Sequence, residues 1–278
     1  MEYNYYGDAY VVQRNAITNL LGEKFVPLYD NKEKLIDLIE SVKPDVIHFE
    51  EFCESFISEE ILLRIFSPDR NYYICETCHS STTSPTSKLF RPDKLIMVSP
   101  WIAKKFEVLG IDTEILEFPI EDLKPDKIGS LKRLELDPEK IHVLNVGLFT
   151  PGKNQKECMD LARSLQEDER LQFHFVGNTA PNFRDYWEPL LTDLPKNCKV
   201  WGERSDVDSF YQACDLFLFT SSLELNPLCL KEALSWKLPT MCRRLATYLD
   251  TYDSNPLVSY LVDDPDTNLQ MLKLKLSL

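Results

Sequence analysis

The chain has 278 residues, including 45 acidic and 31 basic ones, which gives a formal net charge of −14 at pH 7. This acidic composition argues against general affinity for nucleic acid and against a basic membrane-docking surface, because both depend on clustered lysine and arginine. The length predicts one large domain or two small ones, and 44% hydrophobic residues is ordinary for a globular protein.

The sequence shows no signal for membrane insertion or export. No window approaches about 18 uninterrupted apolar residues, and the N-terminal stretch MEYNYYGDAY has no basic region followed by an apolar one. The eight cysteines lie mostly within apolar runs, as Cys214 does before LFLF, and they predict reduced, buried thiols. We therefore expect a cytoplasmic protein.

The first half of the chain alternates strand-like and helix-like segments. Apolar residues at helical spacing predict a helix that Lys43-Pro44 closes. Ser99 and Pro100 predict the start of a later helix, which Gly110 ends. In chain order, the predicted elements are a strand (KFVPLY), a helix (NKEKLIDLIESV), a strand (DVIHFEEF), a helix (SEEILLRIF), a strand (NYYIC), a loop (SSTTSPTS), a strand (KLIMVS) and a helix (PWIAKKFEVLG).

A charged segment with three prolines, residues 118–140, separates this half from the next and predicts an interdomain connection. We place a first domain at residues 1–120, a linker at 121–140 and a second domain at 141–278. The alternation then restarts with a strand (IHVLNVG), a helix (GKNQKECMDLARSLQ), a strand (LQFHFVG), a helix (RDYWEPLLTDL), a strand (CKVWG), a helix (206–213), a strand (DLFLFT), a helix after Asn226 and a strand (LPTMC).

Strands that alternate with helices indicate parallel sheets joined by crossover helices. The sequence therefore predicts the α/β class, with two parallel-sheet domains that face a cleft. In open parallel sheets, ligands bind beyond the carboxyl ends of the strands. The loops that follow the predicted strands are accordingly the candidate site.

The loop NVGLFTPGKNQ, residues 145–155, has the chemistry of an anion site. A strand ends at Gly147, a Pro-Gly turn follows, and Lys153 opens a helix. A helix N-terminus with a nearby lysine attracts negative charge. The loop is not a phosphate-binding loop of the Walker A type, because Asn154 stands where serine or threonine is needed. The alternative is an ordinary strand–turn–helix connection with a solvated lysine.

The stretch SSLELNPLCLKEALSW, from Ser221 to Trp236, carries two glutamates around a helix start. Asn226 is the expected cap and Pro227 the expected first helical residue, so Glu224 lies in the loop and Glu232 within the helix. A carboxylate accepts two hydroxyl hydrogen bonds, which suits a vicinal diol, and the helix N-terminus between them suits a diphosphate. This arrangement fits a sugar nucleotide. The alternative is that Glu224 bonds to backbone and Glu232 is a solvated helix residue.

Several motifs together carry a family resemblance. From about residue 141 to 267, the chain resembles the C-terminal half of family-4 retaining glycosyltransferases. These enzymes have the GT-B architecture, in which two Rossmann-like parallel-sheet domains face a cleft. The matching motifs are Gly147 with Lys153, FHFVG, VWGE, ACDLFLFT, Ser221 to Glu224, and Glu232-Ala233, with weaker similarity in KPDVIHFE, CETCHSS and MVSPWIAKKFEVLGI.

The resemblance implies a reaction and roles for individual residues. The reaction is transfer of a hexose, with retention, from a nucleotide-diphosphate sugar to a glycan, lipid or protein acceptor, with no cofactor and no metal ion. Glu224 and His79 would act at the transferred hexose, and Glu232 would bind the ribose. The remaining implied donor-binding residues are Gly147 and Lys153 at the diphosphate, Gly202 beside the base, and the backbone of Leu225, Asn226 and Leu228.

The sequence also departs from the family pattern. The family's arginine after the strand-end glycine is Leu148 here, and its glycine-rich loop after the first glutamate is Leu-Asn-Pro. The first strand and its glycine-rich turn are missing or reduced before YYGDAY, and the chain stops at LKLKLSL, so it is expected to be shortened at both ends or to be a fragment. These departures leave an alternative open, a catalytically weak GT-B relative that serves as a binding or scaffold subunit.

The stretch CETCH, residues 75–79, matches two other kinds of site. The pattern C-x-x-C-H attaches haem c, but this attachment requires an exported protein. A zinc site needs about four ligands, and this stretch supplies three. The three other histidines, His48, His142 and His174, lie within apolar strand patterns and are expected to be hydrogen-bonded core or strand-end residues.

Overall fold

The computed structural model of the protein describes residues 14–28, 31–51, 57–79, 84–248 and 251–278. The chain divides into two compact units, Met1–Glu117 and Phe118–Leu278. The helices are α1 (Arg14–Leu21), α2 (Lys34–Val42), α3 (Glu59–Ile65), α4 (Pro100–Phe106), α5 (Lys127–Arg133), α6 (Gln155–Ser164), α7 (Arg184–Thr192), α8 (Val207–Ala213), α9 (Leu228–Ser235) and α10 (Pro265–Leu276). The strands are β1 (Val46–Glu50), β2 (Tyr73–Cys78), β3 (Lys94–Met97), β4 (Asp112–Ile115), β5 (Ile141–Val146), β6 (Leu171–Val176), β7 (Cys198–Gly202), β8 (Leu216–Phe219), β9 (Thr240–Arg243) and β10 (Val258–Leu261).

The first unit contains a parallel sheet in the order β1-β2-β3-β4. Helices α2 and α3 pack on it through apolar side chains at helical spacing, which bury a common core. Helix α4 starts as predicted, because Ser99 Oγ accepts from the backbone N–H of Ile102 and Pro100 is the first helical residue. Gly110 follows with φ +63°, a left-handed conformation that glycine adopts without strain. The core of this unit includes Ile36, Phe49, Ile61, Leu62, Ile65 and Ile74.

The second unit contains six parallel strands in the order β10-β9-β8-β5-β6-β7. The chain starts at β5, adds β6 and β7 on one side, and then returns to place β8 against the other edge of β5. This is the strand order of a Rossmann fold, whose direction of winding reverses between β5 and β8. The carboxyl ends of those two strands therefore flank the crevice in which such folds bind ligands.

Helices cover both faces of the second sheet, as expected for a doubly wound fold. Helices α6 and α10 bury their apolar faces with the core on one side, and α5, α8 and α9 do so on the other. The first core includes Val143, Cys158, Leu161, Phe173, Leu218, Met241 and Leu272. The second includes Leu131, Leu144, Phe210, Tyr211, Phe217, Leu230 and Leu234.

The structure differs from the sequence-based prediction in several elements. The predicted strand KFVPLY is wrong over residues 25–28, which pair with no strand, and Pro27 there lacks the N–H that a sheet ladder needs. Strand β4 was not predicted, because it is mostly exposed and its sequence DTEI has no apolar run. The four-residue strand β10 was not predicted either. Residues 121–140, predicted as a linker, contain helix α5, whose Leu131 is buried in the core of the second unit.

Some of the predictions lie outside the described residues. They are the N-terminal stretch around YYGDAY, Cys53 and residues 80–83 of the predicted loop. The seven described cysteines are all free thiols, and Cys78, Cys158, Cys214 and Cys242 are buried. Within the described residues, every helix is too short or too polar to cross a membrane.

Candidate functional site

Gly147 and Gly177 end the neighbouring strands β5 and β6 at a point of very close backbone approach. Their φ angles are +155° and +153°, which L side chains rarely adopt. A Cβ on Gly177 would overlap the carbonyl oxygen of Gly147. Gly147 N–H also donates to the carbonyl oxygen of Val176 at 2.9 Å. The loop after β5 therefore leaves the sheet from a fixed position.

Lys153 lies in that loop, two residues before α6 begins, and its side chain points into the site. Its Nζ lies 2.5 Å from Glu224 Oε1 and 6.0 Å from the centre of the Phe219 ring. The Lys153 side chain is 30% exposed and that of Glu224 only 10%. The solvated lysine of the alternative interpretation is therefore not what the structure has, because Lys153 is paired with a largely buried carboxylate.

Gln155 supports the same loop and was not predicted as a site residue. It is the first residue of α6 and is fully buried. Its Nε2 donates to the carbonyl oxygens of Gly147 and Leu148 at 3.3 and 3.0 Å. A buried glutamine at a helix start has no distinctive sequence signal, so only the fold reveals that it holds the loop.

The loop after β8 is joined to the loop after β5 by hydrogen bonds from a hydroxyl group and from the backbone. Thr220 Oγ1 donates to the carbonyl oxygen of Asn154 at 2.8 Å, and Ser222 N–H donates to that of Gly152 at 2.8 Å. Ser221, which is fully buried, bonds through Oγ to Glu224 Oε1 at 2.5 Å. These bonds bring the two loops together at the point where the winding of the sheet reverses.

Helix α9 starts one residue later than the sequence predicts. Pro227 is the N-cap, with φ −69° and ψ 101°, and Leu228 is the first helical residue. Asn226 makes no capping bond, because it lies one residue before the N-cap. The side-chain Nδ2 of Asn226 is buried and has no hydrogen-bond partner among the described residues. Leu225 is buried and Leu228 half-exposed at 45%. The first turn of a helix leaves backbone N–H groups without helical acceptors, as an anion site requires.

Glu232 lies in the second turn of α9 and is exposed. Its Oε2 accepts a hydrogen bond from the hydroxyl of Tyr211 at 2.8 Å. The thiol of Cys229 lies within electrostatic range of Lys153, Glu224 and Glu232, and burial raises the pKa of Cys229 to about 12. The thiol is therefore neutral at physiological pH.

Gly202 ends β7 in a left-handed conformation, φ +68°, next to Trp201. Trp201 Nε1–H donates to His174 Nδ1 at 3.0 Å, His174 Nε2 lies 2.9 Å from His142 Nδ1, and His142 Nε2 lies 2.8 Å from the carbonyl oxygen of Asp137. One direction of donation satisfies this whole chain when both histidines are neutral. Burial lowers the pKa of both, that of His174 to about 3. The prediction that these two are hydrogen-bonded core histidines is confirmed.

His79 lies in the first unit, directly after β2, and is exposed. Its Nε2 is 2.7 Å from Glu50 Oε2. His48 Nε2 bonds to Thr77 Oγ1 at 2.7 Å and lies 3.4 Å from Glu50 Oε1. Within the described residues, no group of three or more histidine, cysteine, aspartate or glutamate side chains could hold a metal ion.

A sequence profile identifies the class of protein that this fold and site define. The profile described as "Glycosyl transferases group 1" matches residues 127–269, which is just over half of the chain. The chain belongs to this family of glycosyltransferases. A comparison with curated protein sequences finds no match.

Solved structures with the same fold come from several bacteria. HepE from Anabaena in complex with UDP is 16% identical, with a TM-score of 0.71, over 94% of this chain and 80% of that one. Sucrose-phosphate synthase from Thermosynechococcus elongatus is 16% identical, with a TM-score of 0.70, over 92% and 72%. The trehalose-6-phosphate protein from E. coli bound with UDP-2-fluoro glucose is 14% identical, with a TM-score of 0.63, over 88% and 68%. The fold of this chain is therefore the GT-B fold of glycosyltransferases, with two Rossmann-like parallel sheets.

Proposed function

We propose that the protein is a family-4 retaining glycosyltransferase, which moves a hexose from a nucleotide-diphosphate sugar to an acceptor. The observation that carries this proposal is the ion pair of Lys153 and Glu224 at the reversal point of the second sheet, with Glu232 on the helix that follows. A cation, a helix N-terminus and two carboxylates are the groups that a diphosphate with a sugar on either side requires.

The diphosphate is the leaving group of this reaction, and it gains negative charge as the glycosidic bond breaks. Lys153 and the N-terminal turn of α9, with the backbone of Leu225, Asn226 and Leu228, are proposed to stabilise that charge. Pro227 has no backbone N–H and therefore cannot donate a hydrogen bond to the diphosphate. Gly147 lies beside the lysine stem, because a Cβ there would be in ordinary van der Waals contact with Lys153 Cδ, at 3.5 Å.

The sugar groups are assigned to the two glutamates. Glu224 is proposed to bind the transferred hexose as it passes through an oxocarbenium-like transition state with retention. Glu232 is proposed to bind the ribose, and Gly202 with the backbone of Trp201 to lie beside the base. HepE has been crystallised with UDP and with UDP-glucose, which makes UDP-glucose the first donor to test here.

The first unit is assigned the acceptor side. We propose that the domain of residues 1–120 serves the acceptor and the domain of residues 141–278 the donor, with residues 121–140 between them packing α5 on the second unit, and we propose a catalytic role at the hexose for His79. The bond to Glu50 at 2.7 Å orients the imidazole of His79. If the role is correct, His79→Ala lowers turnover and leaves the affinity for nucleoside diphosphate unchanged, whereas equal losses of both would contradict it.

The reaction is proposed to need no metal ion. Asp206 and Asp208 form the Asp-x-Asp pattern of this region, and both have protein partners. Asp206 pairs with Arg204 at 2.8 Å, and Asp208 Oδ1 accepts from Trp236 Nε1 at 3.3 Å. Activity should survive EDTA. Complete loss in EDTA with recovery on adding manganese would contradict this part of the proposal.

One observation favours a second candidate, a catalytically weak binding or scaffold subunit. Leu148 takes the place of the family's arginine and is 36% exposed, so one expected phosphate cation is absent from the loop. The two candidates differ in turnover. An active transferase releases nucleoside diphosphate from a nucleotide sugar, and the rate falls in Lys153→Ala and Glu224→Gln, whereas a binding subunit is stabilised thermally by the same ligands but releases nothing.

The first experiment is a thermal-shift panel of nucleoside diphosphates and nucleotide sugars, followed by a release assay with the best donor. A ligand at 100 times its dissociation constant stabilises a protein by about 2.7 kcal/mol, which is readily measured. If no member of the panel binds, the proposal of a nucleotide-sugar site is wrong. The anomeric configuration of the product, measured by proton NMR, then tests retention.

A further inference from the structure

The carboxylate of Glu232 is held by a buried tyrosine. Tyr211, on α8, is 1% exposed, and its hydroxyl donates to Glu232 Oε2 at 2.8 Å. The bond joins two helices across 21 positions of sequence. Among the described residues, no second hydrogen bond or ion pair to this carboxylate is found.

The position of the Tyr211 hydroxyl is fixed by the core. The ring packs edge-on against Phe217 of β8, with centroids 5.8 Å apart and planes at 76°. Edge-to-face packing in a dense interior leaves an aromatic ring few alternative rotamers. Glu232 is exposed, and an exposed glutamate samples several rotamers. The tyrosine is therefore the rigid partner and the glutamate the oriented one.

The direction of the bond leaves one carboxylate oxygen available. Burial raises the pKa of Tyr211 well above its ordinary value, so the hydroxyl keeps its proton. An ionised carboxylate only accepts hydrogen bonds, so the phenol must donate. Oε2 is then engaged from the protein side, and Oε1 is left for hydroxyl donors of a ligand.

We propose that Tyr211 is a positioning residue, which orients Glu232 to receive a ribose hydroxyl and so makes the site select ribonucleotides over deoxyribonucleotides. This inference rests on the proposed function, in which Glu232 binds the ribose. A carboxylate that is already oriented loses less conformational freedom when the ligand binds, and that saving applies only to ligands that have the hydroxyl. The bond thus contributes to discrimination between sugars, and not to affinity for phosphate or base.

The test variant is Tyr211→Phe, which removes one oxygen and keeps the ring. Its partner Glu232 is exposed, so water replaces the lost bond and no buried polar group is left unpaired. The control is Tyr248→Phe, in another buried tyrosine of the same unit, whose hydroxyl donates to the backbone carbonyl of Arg243 at 2.6 Å. The control loses stability for a purely structural reason.

The measurement is calorimetric binding of UDP, ADP and GDP, each beside its 2′-deoxy and 3′-deoxy analogues. Wild type should prefer the ribonucleotide by about ten- to a hundredfold, the size of a bond to a charged group. In Tyr211→Phe we expect this ratio to fall at least threefold, with affinity for the deoxy analogues unchanged. Tyr248→Phe should keep the wild-type ratio. In a Glu232→Gln background, Tyr211→Phe should cause no further change, because the tyrosine acts through the carboxylate.

The outcomes separate two kinds of failure. If Glu232→Gln lowers the ratio and Tyr211→Phe does not, the positioning role is wrong and the proposed ribose site stands. If wild type shows no preference for ribose, or Glu232→Gln leaves the preference intact, the ribose role of Glu232 fails and the inference fails with it. A ratio that falls equally in Tyr248→Phe would also overturn the inference, because stability alone would then explain the effect.

Discussion

Lys153 Nζ and Glu224 Oε1 lie 2.5 Å apart, although the two residues are separated by 71 positions of sequence. Ser221 bonds to the same carboxylate oxygen. Before a donor binds, the proposed phosphate cation and the proposed hexose carboxylate therefore neutralise each other. On the proposed function, a complete nucleotide sugar would replace both partners, with a phosphate for Lys153 and hydroxyls for Glu224. A bare nucleoside diphosphate would replace only the carboxylate partner of Lys153 and would leave the largely buried Glu224 short of a partner.

Glu224→Gln should bind bare nucleoside diphosphate more tightly than wild type. The neutral amide keeps a hydrogen-bond acceptor but no longer forms an ion pair with Lys153, so the phosphate does not have to break that pair. A partly exposed ion pair is worth about 1 kcal/mol, which corresponds to roughly fivefold in affinity. The same variant should lose most of its turnover with a nucleotide sugar, because the contact to the departing hexose is lost. Calorimetry and a nucleotide-release assay measure the two effects.

The control for this prediction is Glu188→Gln, in an ion-paired glutamate of α7 that bonds to Arg184 at 2.6 Å. It should change neither affinity nor turnover. Weaker binding of bare nucleoside diphosphate in Glu224→Gln would show that Glu224 does not compete with the phosphate for Lys153.

Lys153→Ala should weaken the binding of a nucleoside diphosphate far more than that of the nucleoside. A charge-assisted bond contributes about 1.5–3 kcal/mol, or roughly ten- to a hundredfold in affinity. The nucleoside has no phosphate, so its affinity does not depend on this bond. The matched control is Lys156→Ala, whose Nζ pairs with Asp160 at 2.6 Å on the exposed side of α6. Equal losses for nucleoside and diphosphate in Lys153→Ala would mean that Lys153 does not touch the phosphates.

Gly177→Ala should destabilise the second unit by about 2–4 kcal/mol, because its Cβ would overlap the Gly147 carbonyl and its φ is +153°. Gly152→Ala is the control, since its Cβ would meet nothing closer than 3.9 Å and its φ is not positive. Chemical denaturation measures both, and the control should stay within about 0.5 kcal/mol of wild type. Similar stabilities for the two variants would contradict the close approach of β5 and β6.

The free energy of unfolding should fall as the pH is lowered from 7.5 to 5.5. The pKa of His174 is about 3 in the folded protein and ordinarily 6.5, so the unfolded chain takes up protons first. Most of this stability is present above pH 6.5 and is lost as the pH falls further, by about 1.4 kcal/mol at pH 5.5 for His174. The pKa of His142 is lowered as well, which adds to the same trend.

Denaturant titrations at several pH values measure this dependence. His174→Gln has no group to titrate at that position and should show a shallower slope between pH 7.5 and 5.5. An unchanged slope in His174→Gln would show that the buried histidine chain does not carry the pH dependence.

The sequence predicted most elements of the fold because their signals are local. Apolar spacing predicted α2, a serine–proline pair predicted the start of α4, and a buried apolar run predicted β8. The failures occurred where local chemistry is ambiguous. Strand β4 is held by its neighbour β3 and has no apolar pattern, while the apolar KFVPLY has no strand beside it over residues 25–28. Pairing, which the sequence does not display, decides such segments.

The candidate residues could be proposed from sequence because residue type and spacing limit chemistry. Lys153, Glu224 and Glu232 follow strands at the positions where such folds bind ligands, and that much is readable along the chain. Their supporting residues were not found. Gln155 and Tyr211 lie within ordinary helical patterns, where a buried polar group looks no different from a surface one.

The sequence by itself determined the kinds of elements, the parallel sheets and the chemical groups at the strand ends, since these depend on neighbours within a few residues. Only the tertiary structure decided which groups meet. Lys153 and Glu224 form a pair because β5 and β8 are adjacent in the sheet, with two other strands between them in the chain. That adjacency results from the burial of two cores on opposite faces of one sheet, which is a property of the whole unit and not of any segment.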